Sequence, residues 1–254
     1  MKEELFRIGP FVAHSYGAMI ALGVFAAVFV AERRARKMGL NDTILFSLAL
    51  WCLGGGMLGA KLLYLITELD AIIAGTFQWN SMLDGFVVYG GILGGILTGF
   101  IYVKCKKLPF LPYFDLVMPS IALAQGFGRI GCFLSGCCYG RETDSVFGVV
   151  FKNSNYAPNN VALLPTQLIS SAADFLHFFL LVFLAKKVKK EGMIGAFYLI
   201  FYSIGRFLIE FLRNDPRGGV LGLSTSQFIS VFILLAGLGL LVFCAKRKER
   251  MELE

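Results

Sequence analysis

The sequence is poor in charge, in histidine and in regularly spaced cysteine. Charged residues make up 16% of its 254 positions, where a soluble domain carries about 25%. That shortage excludes an ordinary water-soluble globule, because so much apolar surface needs a non-aqueous partner. Histidine occurs only at His14 and His177. The cysteines, Cys52, Cys105, Cys132, Cys137, Cys138 and Cys244, contain no paired CxxC arrangement. A zinc site is therefore not expected, and neither a metal nor a soluble cofactor is implied. The opening MKEELFRIGP leads straight into an apolar stretch without a cleavage pattern, so no cleavable signal peptide is expected. Strand-period alternation is missing from the apolar runs, which argues against a membrane barrel.

What is present is hydrophobicity: 57% of residues, with a mean hydropathy of +0.70. A spanning helix needs about 20 mostly apolar residues. Segments near 11–31, 44–66, 86–103, 114–134, 163–185, 193–212 and 224–244 meet or approach that length. The expected fold is all-α: a polytopic integral membrane protein of about seven transmembrane helices, forming a single domain over residues 1–254.

The net charge of +7 does not point to nucleic acid, because the basic residues lie in short clusters between apolar runs. Arg33, Arg34, Arg36 and Lys37 follow the first span, and Lys104, Lys106 and Lys107 the third. Lys186, Lys187, Lys189 and Lys190 follow the fifth, and Lys246, Arg247, Lys248 and Arg250 the seventh. All of these fall on one side. The opposite side has only Lys2, Arg7, Arg141, Lys152, Arg213 and Arg217. The positive-inside rule then predicts the N-terminus outside and the C-terminus in the cytoplasm.

Glycines crowd spans two and three, in GGGMLGA (Gly54 to Ala60) and YGGILGGILTG (Tyr89 to Gly99). Spaced four apart, as Gly91, Gly95 and Gly99 are, they let helix backbones approach closely. A phosphate-binding loop is a poor reading, since no lysine-serine or lysine-threonine pair closes it.

The polar residues inside the spans carry the chemistry. An intramembrane arginine costs about 2.5–3.5 kcal/mol on insertion scales and needs a partner or a function. Arg129 and Arg206 lie roughly 7.5 and 9 Å below the outer ends of spans four and six, at 1.5 Å per residue. Lys61 in span two, Tyr89 in span three, His14 and Tyr16 in span one and Gln167 in span five fall in the same half. This asymmetry favours one shared cavity over scattered structural polar groups. Tyr202, Arg206 and Glu210 stand at i, i+4 and i+8 on one helix face, where Glu210 can simply neutralise Arg206. Arg129 has no acidic residue within four positions. Its expected partner is a bound anion, and a planar guanidinium suits the phosphate of a phospholipid headgroup. Among the cysteines of GFGRIGCFLSGCCYG (Gly126 to Gly140), a nucleophile has no adjacent histidine to activate it. A disulfide from Cys132 to Cys137 or Cys138, or plain packing, are the other readings.

At these residues the chain resembles the bacterial prolipoprotein diacylglyceryl transferase family, over nearly its whole length. HSYG (His14 to Gly17) resembles the family's first-span His-x-Tyr-Gly, and LDGFVVYGGILGG (Leu83 to Gly95) its third-span motif. GFGRIGCFLSGCCYG is similar to the signature Gly-Arg-x-Gly-Asn-Phe-x-x-Gly-Glu-x-x-Gly. PTQL (Pro165 to Leu168) and YSIGRFLIEFLR (Tyr202 to Arg213) resemble Pro-Ser-Gln-Leu and Tyr-x-x-x-Arg-x-x-x-Glu-x-x-Arg.

The resemblance implies a multi-pass enzyme of the bacterial cytoplasmic membrane. Such an enzyme moves diacylglycerol from phosphatidylglycerol to the lipobox cysteine of a prolipoprotein signal peptide. By matched position, Arg129 and Arg206 hold the phosphate, with Tyr89 and Glu210 in the catalytic set. Tyr16, Tyr202, Lys61, His14, Gln167, Gly90, Gly91, Gly140, Cys132 and Cys137 shape the substrate pocket. The chain departs from the pattern at Tyr89, where the family has histidine, at Cys132 and Cys137, where it has asparagine and glutamate, and at Lys61, where it has arginine. Those departures keep two other functions open: lipid transfer to a different acceptor, and non-catalytic phospholipid binding. No inverted repeat supports a transporter.

Overall fold

A computed structural model describes residues 4–8, 11–78, 85–215 and 218–247. Its principal helices are α1 (Ser15–Lys37), α2 (Thr43–Thr67), α4 (Val88–Cys105), α5 (Phe110–Ser135), α6 (Thr166–Lys187), α7 (Met193–Glu210) and α8 (Thr225–Lys246), with a short α3 (Leu69–Ile73) after α2. Among the described residues, three small antiparallel pairs accompany the helices: β1 (Glu4–Ile8) with β2 (Phe11–His14), β3 (Val149–Val150) with β4 (Ala162–Leu163), and β5 (Gly219–Val220) with β6 (Leu223–Ser224).

Among the described residues, the seven long helices are each long and apolar enough to cross a membrane. The chain is therefore a multi-pass membrane protein. Side chains such as Phe25 (71% exposed), Trp51 (61%) and Phe179 (65%) face outward, which only a lipid environment tolerates at this density. The helix of α5 is the most buried span, at 44% of its apolar window against 17–28% for the others, and it carries Arg129.

The first span departs from expectation. It begins at Ser15, because residues 11–14 pair with β1 as a strand. The apolar Phe-Val pair at its start satisfies its backbone through that ladder rather than through helix bonds. The sixth span ends at Glu210, two residues short, where the chain turns through Phe211 and Leu212 into an isolated bridge between Gly140 and Arg213.

The chain separates into two compact units, Met1–Val30 with Phe114–Glu254, and Ala31–Tyr113. In the larger unit, Ala122 and Leu123 of α5, Phe178 and Leu181 of α6, and Ile194 and Tyr198 of α7 form one buried cluster. The start of α7 is held by α5: the Asp115 carboxylate accepts from Gly192 N at 2.6 Å and Gly195 N at 2.7 Å. This satisfies amides that a helix N-terminus otherwise leaves unpaired. α8 starts on a capping box between Ser224 and Gln227. The loop between α5 and α6 has its own small core of Tyr139, Phe151, Ala157 and Leu163.

In the smaller unit, α2 packs on α4 through glycine. A side chain at Gly90 would meet Gly59 O at 2.3 Å, and one at Gly94 would meet Gly55 O at 2.3 Å. Closest approach thus falls on Gly90 and Gly94. The expected series Gly91, Gly95 and Gly99 makes looser contacts, of 3.0 to 3.5 Å, on the adjoining face.

Candidate active site

Arg129 of α5 enters a cavity of about 460 Å³ whose other walls come from α6 and α7. Its polar lining is Arg129, Asp174, His177, Tyr202 and Arg206, with Ser170 at one side. Apolar side chains supply most of the rest, among them Ile169, Leu176, Leu180, Leu208, Ile209 and Leu212. Two guanidinium groups in a largely hydrocarbon-walled space match an anionic headgroup attached to acyl chains.

Arg206 is firmly placed. Its Nη1 donates to Glu210 Oε2 and its Nη2 to Ser226 Oγ, both at 2.5 Å. The helical spacing expected for Tyr202, Arg206 and Glu210 is realised, with Tyr202 and Arg206 lining the cavity and Glu210 buried behind them. Tyr202 stacks on Tyr198 at 5.8 Å between ring centroids, and Tyr198 stacks on His177 at 5.2 Å. The Tyr198 hydroxyl donates to Gln125 Oε1 at 3.1 Å. These contacts fix the cavity's aromatic wall.

Arg129 is not without an acidic neighbour, as its own helix suggests. Its Nε lies 4.0 Å from Asp174 Oδ2 on α6. That partner is tertiary and so lies outside the neighbouring turns of Arg129's own helix. Asp174 and His177 are the residues that sequence reasoning missed. The signal was available: Ser170, Asp174 and His177 stand at i, i+4 and i+7 inside an apolar span, and an intramembrane carboxylate marks a site.

The signature segment after α5 forms a clamped loop. Gly136 turns with φ 76°, and Cys137 N donates to Cys132 O at 3.1 Å. Gln167 Nε2 donates to Cys137 O at 2.8 Å and Thr166 Oγ1 to Cys138 O at 2.9 Å. Gln167 therefore braces this loop and does not line the cavity. Gly140 N donates to Leu164 O, and a Cβ on Gly140 would lie 2.5 Å from that oxygen, so this position admits only glycine.

No disulfide joins the cysteines among the described residues, against the pairing considered for Cys132. The Sγ atoms of Cys132, Cys137 and Cys138 instead all lie within 4.8 Å of one another. Hydrogen bonds with Cys132 and Cys137, then the nearby Arg213 charge, hold the Cys138 thiol below the usual thiol range. Arg213 is itself clasped by Asp215 through two bonds of 2.9 and 3.0 Å.

A sequence profile described as prolipoprotein diacylglyceryl transferase matches residues 3–243. The chain belongs to the prolipoprotein diacylglyceryl transferase family. It is 48% identical to the phosphatidylglycerol–prolipoprotein diacylglyceryl transferase of Clostridium tetani, over 94% of this chain and 96% of that protein. It is 46% identical to transferase 2 of that name from Clostridium perfringens, over 99% and 98%. Transferase 1 of the same species is 32% identical, over 98% and 97%.

The remaining residues matched to this family have the following surroundings. Tyr16 packs beside Gly131, where a Cβ would meet its ring at 3.1 Å. His14 is exposed at the end of β2. Lys61, Tyr89, Gly90 and Gly91 belong to the smaller unit. Lys61 Nζ donates to Gly85 O at 2.8 Å and stands 3.8 Å over the Phe86 ring. Tyr89 is in the first turn of α4, part exposed, and Gly90 is taken up by the contact with α2.

Proposed function

We propose that this chain is a phosphatidylglycerol–prolipoprotein diacylglyceryl transferase of the bacterial cytoplasmic membrane, with its N-terminus outside and its C-terminus in the cytoplasm. The carrying observation is the cavity in which Arg129 and Arg206 meet beside apolar walls. Phosphatidylglycerol fits it with its phosphate on the two guanidinium groups and its acyl chains along the apolar side chains. The acceptor is the lipobox cysteine of a prolipoprotein signal peptide.

The chemistry explains why cations are needed there. The acceptor sulfur, as thiolate, attacks the glyceryl carbon that carries the phosphate. A C–S bond forms as the C–O bond breaks, and its electron pair leaves on the phosphate oxygen of glycerol phosphate. The phosphate gains a negative charge as it departs. Preorganised donors aimed at such a developing charge are worth about 2.7–4 kcal/mol each. Glu210 and Ser226 orient Arg206 for this, and Tyr202 shapes the wall beside it. Tyr89 carries a phenol at the position matched to the family's histidine, and its hydroxyl is assigned the role of a hydrogen-bond donor.

The test is transfer by the purified protein in nanodiscs, from labelled phosphatidylglycerol to a lipobox peptide. A peptide with serine in place of the cysteine is the control. Thiol-dependent labelling with release of glycerol phosphate is expected. Lipid binding without any labelled peptide would overturn the assignment and leave a binding protein.

A further inference from the structure

The cavity chemistry leaves one group of reactive side chains without a role. Cys132 lies in the last turn of α5 and is buried, while Cys137 and Cys138 follow on the loop, part buried. Their spacing, one cysteine and then a vicinal pair five and six positions later, escapes the paired CxxC criterion. The fold nevertheless gathers all three Sγ atoms within 4.8 Å of one another.

We propose that Cys132, Cys137 and Cys138 hold one zinc-class metal ion, and that its fourth position takes the acceptor thiol. The second half of this inference rests on the transferase reading; the first does not.

Geometry supports the ion. Three thiolates at about 2.3 Å from zinc stand roughly 3.8–4.0 Å apart, so the observed spread needs only a small inward adjustment. A disulfide would consume two of the sulfurs and strand the third, and a vicinal pair bridges itself poorly. The carbonyls of Cys137 and Cys138 are pinned by Gln167 and Thr166. The loop is thus held from outside in the way that second-shell bonds hold metal ligands.

Charge supports it as well. Three thiolates around a divalent cation carry one net negative charge. Arg213 beside Cys138 offsets that charge. Arg129, three residues before Cys132 on α5 and so on the same helical face, adds a second cation and links the cluster to the cavity that it lines.

Three protein ligands with a fourth position open is the arrangement of catalytic rather than structural zinc. A thiol that enters that position is deprotonated by the metal. The lipobox thiol would bind by displacing a coordinated water and releasing its proton to solvent. It would then attack the glyceryl carbon, with the C–O electron pair leaving on phosphate as above. The thioether product is a weaker ligand and dissociates. This supplies an activated thiolate. No electron is gained or lost.

The test uses the full-length protein, purified under reducing conditions. Elemental analysis should find about one zinc per chain. Cobalt added to the metal-stripped protein should give thiolate-to-cobalt charge-transfer absorption that saturates at one equivalent. That absorption should vanish in the triple variant C132S/C137S/C138S and persist in Cys105→Ser. The cysteine-containing lipobox peptide should shift the cobalt spectrum, and the serine peptide should not. Wild-type protein with neither zinc nor cobalt absorption overturns the metal site without touching the transferase reading, provided that transfer is observed. An oxidised pair, seen as two thiols fewer than the reduced count before any metal is added, also overturns it. Cobalt bound without response to the cysteine peptide overturns the role in activation. A metal-loaded protein that never transfers lipid condemns the transferase reading instead.

Discussion

Arg129 Nε and Asp174 Oδ2 face each other across α5 and α6 at 4.0 Å. That separation lies beyond hydrogen-bond range, so the pair attracts without closing. Among the described residues no hydrogen bond engages the Arg129 guanidinium, and its donors remain open to a phosphate. Asp174 then competes weakly with the lipid for the same cation. Asp174→Asn is expected to tighten phosphatidylglycerol binding by up to about five-fold, equivalent to ~1 kcal/mol. An equilibrium binding titration with lipid in nanodiscs checks this. Unchanged or weaker binding would show that Asp174 positions Arg129 and does not compete with the substrate.

The two arginines should fail in different ways. Arg129→Ala removes a donor whose contact is loose, so transfer should fall by about 10²–10³-fold with expression intact. Arg206→Ala removes the same kind of donor and also breaks the buried Arg206–Glu210 ion pair. Breaking a buried ion pair by removing one partner costs roughly 3–5 kcal/mol. The single variant should therefore lose both stability and activity. Adding Glu210→Gln should restore the melting temperature and leave transfer absent. Normal transfer in Arg129→Ala or in the double variant would end the anion-pocket reading.

Much of this site could be seen in the chain before folding. The helix face of Tyr202, Arg206 and Glu210 follows from spacing alone, and the spans follow from length and apolarity. The first span's true start could not be seen, because residues 11–14 are as apolar as the helix they precede and only pairing with β1 makes them a strand. The thiol cluster was hidden for a similar reason. It depends on the turn at Gly136, on Cys138 at φ 63°, and on carbonyls anchored by Thr166 and Gln167, nearly thirty residues on. Asp174 and His177 were visible as polar residues at helical spacing, but their link to Arg129 is tertiary.

Glycine packing in the smaller unit gives a sharp contrast. A Cβ at Gly90 would sit 2.3 Å from Gly59 O and 2.6 Å from Leu63 Cβ, while one at Gly54 meets nothing within 4 Å. Gly90→Ala should force α2 and α4 apart and cost about 1–3 kcal/mol, as overpacking does. Gly54→Ala should be neutral or slightly stabilising, since alanine favours the helix. Thermal unfolding in detergent separates the two. Equal melting temperatures would mean that the α2 and α4 backbones do not approach this closely.

Gln167 is 1% exposed, and its amide nitrogen holds the Cys137 carbonyl at 2.8 Å. Gln167→Ala leaves that carbonyl unpaired, at a cost of about 1–3 kcal/mol, and leaves Thr166 as the loop's remaining side-chain bond from α6. The variant should melt earlier, and Cys137 and Cys138 should react faster with a maleimide. Cys105, at the end of α4, should react at an unchanged rate. If all cysteines accelerate together, the variant has loosened globally and the brace is not local.

Substitutions at Tyr89 test whether the third-span tyrosine takes part in the reaction. A phenol retains a hydrogen-bond donor, so the hydroxyl is the group whose loss should matter. Tyr89→Phe keeps the ring and deletes that donor; transfer should fall by about 10²-fold in kcat, with little change in lipid affinity if the bond strengthens as the phosphate departs. Tyr89→His returns a donor of similar reach and should keep most of the activity. Steady-state transfer rates at saturating lipid make the comparison. If Phe is as active as Tyr, the hydroxyl has no part in the reaction. If His exceeds Tyr by orders of magnitude, proton abstraction limits the native enzyme.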